Sequence, residues 1–273
     1  MRTFVARRMF FGSMLIIVAV LVLVANAALR VAMYHVAFVS GWFLLGLCVF
    51  LALYNIRKKL TALPLGTSAT WLQFHIYVGL LTFVVFVVHI DFRIPNGPFE
   101  VILALLYLAV FFSGVAGLIL SRIIPPRLAT RGEEVIFERI PQFIRRTRDD
   151  VEGLVLKCIS ESDSSAVPDF YIRRLKPFFD RPRHYWSHLC HSTRPLHSLV
   201  VDIEAQHRYL SDVERSLVDQ ITEYVRTKDD LDYHHAMQKT LKYWLFIHIP
   251  LTYSLLVAAL FHILLVYSFA GGS

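Results

Sequence analysis

Cysteine is scarce in this 273-residue chain, which has only Cys48, Cys158 and Cys190. No two of them form a C-x-x-C pair, the usual sequence mark of a structural zinc or iron–sulfur site, and no C-x-x-C-H is present for covalent c-type haem attachment. Glycine-rich phosphate-binding fingerprints of the G-x-G-x-x-G kind are also lacking, so the chain carries no recognisable dinucleotide domain of its own. Internal repeats and low-complexity tracts are absent. Acidic residues are missing from the long apolar runs, where the single carboxylate is Glu100 at one end. Cys48 falls inside an apolar run and reads as packing, while Cys158 and Cys190 fall in the polar middle of the chain.

What the sequence has in abundance is apolar residues. They make up 56% of the chain, and mean hydropathy is +0.52 despite a long polar middle. The run from Met9 to about Asn55 is interrupted only by Arg30 and His35. It is about twice the roughly 20 residues that one crossing needs, so it predicts a helical hairpin. Trp71–Ile90, Pro98–Leu120 and Leu241–Phe269 are each long enough to cross once as a helix with its backbone satisfied internally. The expected fold is all-α: an integral membrane bundle of five transmembrane helices with a helical cytoplasmic insertion between the fourth and fifth. The corresponding divisions are residues 1–122 for four membrane helices, 123–240 for the insertion and 241–273 for the fifth helix. Arg2, Arg7 and Arg8 before an apolar stretch, with Ala25-Asn26-Ala27 after it, also resemble a secretory signal. The stretch is long for a signal core, and the expectation is a retained first helix.

Basic residues suggest an orientation. Arg7 and Arg8, then Arg57, Lys58 and Lys59, then Arg122, Arg127 and Arg131 flank the ends that share one side, whereas the opposite loops hold Arg30 and Arg93. By the positive-inside rule the N-terminus and the insertion are expected in the cytoplasm and the C-terminus outside a cell inner membrane. The formal charge of +7 and pI near 9.4 sit largely beside membrane runs. Lipid headgroups account for such charge better than nucleic acid does.

Four histidines stand out against this background. His75 and His89 lie in one apolar run, His248 and His262 in another, each pair separated by fourteen residues. Fourteen residues are close to four helical turns, so both members of a pair share a face about 21 Å apart along the axis. The orientation derived from the basic residues makes these two helices parallel, and the pairs then match in level: His75 with His248, and His89 with His262. Ionisable groups within a membrane are costly and usually functional. Two facing imidazoles at each of two levels suit two bis-histidine haem irons. A zinc or manganese transport site would instead gather several nitrogen and oxygen ligands within about 2 Å of one ion, which a 14-residue separation without a nearby carboxylate does not supply. For any one histidine alone, a buried polar residue satisfied by a neighbouring helix is the simpler account.

The H-x13-H pattern of His75/His89 and His248/His262 resembles the cytochrome b of quinol-oxidising complexes. Its placement on the third and fifth helices is similar to the ferric-reductase-like transmembrane domain shared with NADPH oxidases. The resemblance covers the membrane part and implies two b-type haems with electrons passing from one side of the membrane to the other. It departs from those families in having no flavin or nicotinamide domain and in carrying an insertion of roughly 115 residues. Partners implied are membrane lipid and redox subunits such as a cytochrome c, an iron–sulfur protein or a flavin protein, with a quinone as a further ligand.

Further residues bear on this centre. Arg93, Arg30, Lys242, Lys59 and Arg122 are placed to meet haem propionates, with Arg93 foremost, although lipid anchoring explains each singly. Gly79, Gly114, Gly117, Ala258 and Ala259 are small enough to admit a macrocycle or to pack helices. Pro250 removes a donor two residues after His248 and frees the carbonyl of Phe246; that carbonyl and Thr252 are candidate acceptors for a ligand N–H. In the insertion, prolines at 125, 126, 141, 168, 177, 182 and 195 break up helices. Helices are predicted over Pro141–Ser160 and from a capping box at Ser211–Glu214, the latter burying Val213, Leu217, Ile221 and Val225. His184, His188 and His191 read as a solvated polar face opposite Tyr185, Trp186 and Leu189. His234, fourteen residues before His248, reads as an interfacial histidine paired with Asp230 or Asp232. A third cofactor there would need a second ligand, which Thr61 cannot be.

The expected function is a membrane dihaem cytochrome b subunit of an oxidoreductase complex. It would carry electrons between a quinone pool or cytoplasmic donor and an exterior partner, with His75, His89, His248 and His262 as ligands and Arg93 beside them. A self-sufficient quinol oxidoreductase, and a non-redox scaffold or sensor built on the insertion, remain as alternatives.

Overall fold

A computed structural model describes residues 2–32, 36–59, 67–132, 135–162 and 165–270, leaving the side chains of 2–5, 7, 8, 55–59, 209 and 270 aside. His35 and Thr61 lie outside the described residues, as do the side chains of Arg7, Arg8, Arg57, Lys58 and Lys59. All the secondary structure among the described residues is helical, with no strand. Among the described residues, five helices are long and apolar enough to cross a membrane, and the chain is a multi-pass membrane protein by that measure. The chain divides into two compact units, one comprising Met1–Leu118 with Trp244–Ser273 and the other Ile119–Tyr243.

In the first unit, α1 (Arg2–Val31) and α2 (Val36–Lys59) pack on α3 (Ser68–His89). Helix α1 is apolar all round, and Ile16, Ile17, Leu21 and Val24 are exposed, as expected of a surface solvated by lipid. Thr67 caps α3 by accepting a hydrogen bond from the main chain of Thr70 at 3.3 Å, which satisfies one of the free donors of the first turn. Beyond His89 the chain turns through Asp91 and Phe92, both left-handed at φ 54° and 56°. Arg30 at the end of α1 forms an ion pair with Asp91. Helix α4 (Pro98–Leu128) follows, and α10 (Asp212–Ala270) supplies the last apolar segment. Phe86, Tyr107 and Leu255 form the buried centre of this unit, and the Phe86 and Tyr107 rings stack 4.1 Å apart. Tyr107 donates to the Thr82 hydroxyl at 3.0 Å, so its phenol is satisfied within the apolar interior.

The second unit holds α5 (Ile140–Glu161), α6 (Ala166–Phe170), a π-helical turn Tyr171–Leu175, α7 (Lys176–Phe179), α8 (Tyr185–Leu189), α9 (Arg194–Gln206) and the polar part of α10. Its core is built from Val151, Phe179, Ile203, Leu217, Ile221 and Val225. The capping box at the start of α10 is formed: the Ser211 amide donates to Glu214 Oε2 at 2.8 Å and the Glu214 amide to Ser211 Oγ at 3.4 Å. Two expectations fail here. Val213 is exposed, whereas its neighbour Glu214 in the same turn is buried and accepts from Ser162 Oγ at 2.9 Å. Pro125 and Pro126 do not end α4, which continues to Leu128; so near the C-terminus a missing donor costs only the last hydrogen bonds of the ladder.

Candidate functional site

All four membrane histidines belong to the first unit, and all are half-buried. On α3 the positions His75, Gly79, Thr82, Phe86 and His89 follow steps of four and three. On α10 His248, Thr252, Leu255, Ala259 and His262 follow the same steps. Each helix therefore presents one stripe with a histidine at either end, and the Phe86–Tyr107–Leu255 cluster occupies the level between.

The structure brings His89 and His262 close together, with ring centroids 6.3 Å apart and planes nearly perpendicular at 88°. A metal–imidazole bond is about 2 Å and the ring centroid lies roughly 1.1 Å behind the nitrogen, so two imidazoles that would hold one metal between them would stand up to about 6.5 Å apart by centroid. The observed spacing falls in that range. His75 and His248 have other ring partners: His75 lies 5.1 Å from Tyr54, and His248 stacks on Trp244 at 5.3 Å.

Neighbouring helices fix how the imidazoles are held. His89 Nδ1 donates to the carbonyl of Ala37 at 2.9 Å, with Ser40 Oγ at 3.4 Å. A carbonyl can only accept, so Nδ1 carries the proton and Nε2 of the neutral ring keeps its lone pair. That is the form in which a histidine ligates a metal, its second nitrogen tied to an acceptor. Gly41 makes room for the ring, since a Cβ there would stand 2.8 Å from His89 Cε1. His248 Nδ1 meets Ser113 Oγ at 3.2 Å, a hydroxyl able to accept. The acceptor suggested for His248 from sequence was different: Thr252 instead donates to the main-chain carbonyl of His248 at 2.9 Å. Trp244 donates from its indole to the Ser113 carbonyl at 2.8 Å. Gly114 lies in ordinary contact with His248, and a Cβ at Gly79, one turn beyond His75, would meet nothing within 4 Å.

Ser40, Gly41, Ser113 and Trp244 were not found from sequence. The available signal was a pair of small or hydroxylated residues on each helix flanking a histidine stripe, which is also the signature of plain helix packing.

Of the residues considered for anionic groups, Arg93 is 83% exposed and lies 3.6 Å from Asp91. Arg30 is committed to Asp91, and Lys242 donates to Glu138 at 2.6 Å. Arg122 is exposed. No group of three or more His, Cys, Asp or Glu side chains converges on a point among the described residues; a haem iron asks only for an opposed pair of imidazoles.

Two histidines of the second unit, His188 and His234, differ from the sequence expectation. His188 is 3% exposed rather than solvated, lies 3.8 Å from Asp229 and packs against Tyr233. Burial, then the nearby charges of Arg131, His184 and Lys228, hold its pKa down at about 4. His184 and His191 are exposed. His234 is also buried, and its partner is neither Asp230 nor Asp232 but the carbonyl of Arg131, to which Nε2 donates at 2.5 Å. Lys228 and Asp232 form a wholly buried ion pair at 2.5 Å. Arg131, expected as a flanking charge, reaches Asp229 and Asp230 and lies 4.6 Å over the Tyr233 ring. No protein family, no curated protein and no solved structure matches this chain.

Proposed function

We propose that this chain is a dihaem b-type cytochrome subunit that carries electrons across a membrane within an oxidoreductase complex. The observation that carries the reading is the 6.3 Å opposition of His89 and His262, joined to the equal fourteen-residue spacing that sets His75 and His248 at the other level. His89 and His262 would hold one haem and His75 and His248 the other. Bound haem supplies an iron that takes up and releases single electrons. The protein's own part is to present four imidazoles, keep water out through the Phe86–Tyr107–Leu255 cluster, and fix ring orientation through Ala37 and Ser113. Arg93 stands ready for a propionate.

The distribution of basic residues favours a cytoplasmic membrane with the N-terminus and the 123–240 insertion in the cytoplasm and the C-terminus outside. Donor and acceptor are then a quinol or cytoplasmic protein on one side and an exterior carrier such as a cytochrome c on the other. Redox difference spectra of the purified chain test the reading. The wild type should contain two b haems, and His89→Ala and His262→Ala should each remove the same one. His75→Ala and His248→Ala should remove the other. A colourless protein after expression with ample haem, or two haems in every variant, overturns it.

A further inference from the structure

Helix α8 is inside out for a protein surface in water. His188 is buried and Leu189 packs inward, while Trp186 between Tyr185 and Ser187 is 75% exposed.

The residues around α8 mark its level along α10. Leu189 packs with Leu120 and Leu241 around Ile124, Leu128, Tyr233 and Met237. Leu120 and Leu241 are the residues at which the apolar runs of α4 and α10 meet the polar part of the chain. Tyr185 hydrogen-bonds Thr240 through its hydroxyl at 2.8 Å, so α8 is pinned to α10 at that same level. Lys239 lies 5.9 Å from the Tyr185 ring and 5.2 Å from the Tyr243 ring, and Tyr243 is itself exposed. Tryptophan, tyrosine and lysine at the end of an apolar helix are the residues that settle at the lipid headgroup level, where a ring can be apolar on its body and polar at its tip.

We propose that α8 is a membrane-surface anchor, with Trp186 seated at the boundary between headgroups and acyl chains of the bilayer that the long helices cross, and Lys239 beside the phospholipid phosphates. The occupant is lipid, and the site does not depend on haem.

The test is site-directed spin labelling of the full chain in nanodiscs of phosphatidylcholine and phosphatidylglycerol. A nitroxide is placed at Trp186→Cys in a Cys48→Ala/Cys190→Ser background, Cys158 being wholly buried. A label at Asp150→Cys, an exposed position of α5, in the same background is the aqueous reference. The label at 186 should collide more with oxygen and less with a water-soluble nickel chelate than the label at 150, with a several-fold difference in the ratio. If Trp186→Cys does not fold, the native exposed Cys190, one turn further on, is labelled in a Cys48→Ala chain with Trp186 in place and should read the same way. A nickel-to-oxygen ratio equal to that at position 150 overturns the proposal. Protection from both reagents also overturns it, by showing protein rather than lipid over the indole.

Discussion

Trp244 lies so close to Gly117 that a Cβ on the glycine would fall 1.9 Å from indole Cζ2. The contact seats the indole against α4, where it both donates to the Ser113 carbonyl and stacks on His248. One glycine thus sets the position of a ring, and that ring sets the position of a candidate ligand. Gly117→Ala should lower stability by about 1–3 kcal/mol, the usual cost of overfilling a packed interior, and should weaken the haem assigned to His248. Thermal unfolding in detergent and haem stoichiometry read the two effects. Trp244→Phe added to Gly117→Ala should recover part of the loss, and a double variant no better than the single would refute the contact.

Ser113 should tune the potential of one haem only. An imidazole whose second N–H has an acceptor is more basic and favours the ferric state. Ser113→Ala removes that acceptor, so the midpoint of the haem held by His248 should rise while the other stays. Ser113→Thr keeps a hydroxyl and should restore the wild-type value in a potentiometric titration. Equal midpoints in Ser113→Ala and wild type, with both haems present, would show that the hydroxyl only packs.

Gly41 is the corresponding test at the other level. Valine there must displace the His89 ring, whose Cε1 would stand 2.8 Å from the new Cβ. Gly41→Val should lose the haem shared by His89 and His262 and retain its neighbour. Loss of both, or of neither, in the reduced-minus-oxidised spectrum contradicts the seating of His89 on α2.

The second unit should lose stability on acidification through His188. Its folded pKa of about 4 lies below the roughly 6.5 of an exposed histidine. Between those values the unfolded chain binds more protons, so stability rises with pH and is lost as pH falls through that window, by up to about 3 kcal/mol. Asp229 acts in the opposite sense, because burial pushes its carboxyl up to about 6, and Asp232 is likewise raised by burial. Arg131, Lys228, His184 and Tyr233 are the other groups facing His188. His188→Leu isolates its share: the variant should be less acid-sensitive than wild type between pH 6.5 and 4 in melting-temperature profiles. Parallel profiles would remove His188 as the cause.

Lys228 and Asp232 should behave as one unit. Lys228→Met leaves Asp232 with the hydrogen bond from the Arg183 amide at 3.2 Å, in a site with no exposure. Such a broken buried pair costs about 3–5 kcal/mol, whereas an apolar pair is often neutral. The double variant Lys228→Met/Asp232→Leu should therefore be more stable than Lys228→Met in chemical unfolding. Additive losses would argue against coupling.

How far these features can be read in the sequence depends on where the information sits. The membrane helices are legible because long apolar runs have few other uses, and the Ser211–Glu214 box is legible because its two reciprocal bonds need those residue types. The His89–His262 opposition follows from spacing and level. The holders of the rings were not legible. Ala37 acts through a carbonyl that every residue possesses, and Ser113 sits on a helix with no sequence relation to His248. The same holds for His234, whose partner is the main chain of Arg131. His188 was misplaced because helical spacing tells which residues share a face and not which face turns inward; in a short helix beside membrane runs, polarity is a poor guide to that choice.

The turn after His89 has a last consequence. Asp91 and Phe92 both hold left-handed backbone without being glycine, a conformation that costs of order 1–3 kcal/mol for such residues. The chain therefore has a reserve of stability beside its most distinctive histidine. Phe92→Gly would release it without touching an imidazole, and a β-branched residue at 92 would deepen the debt. Directed evolution for a hardier protein should find position 92 early.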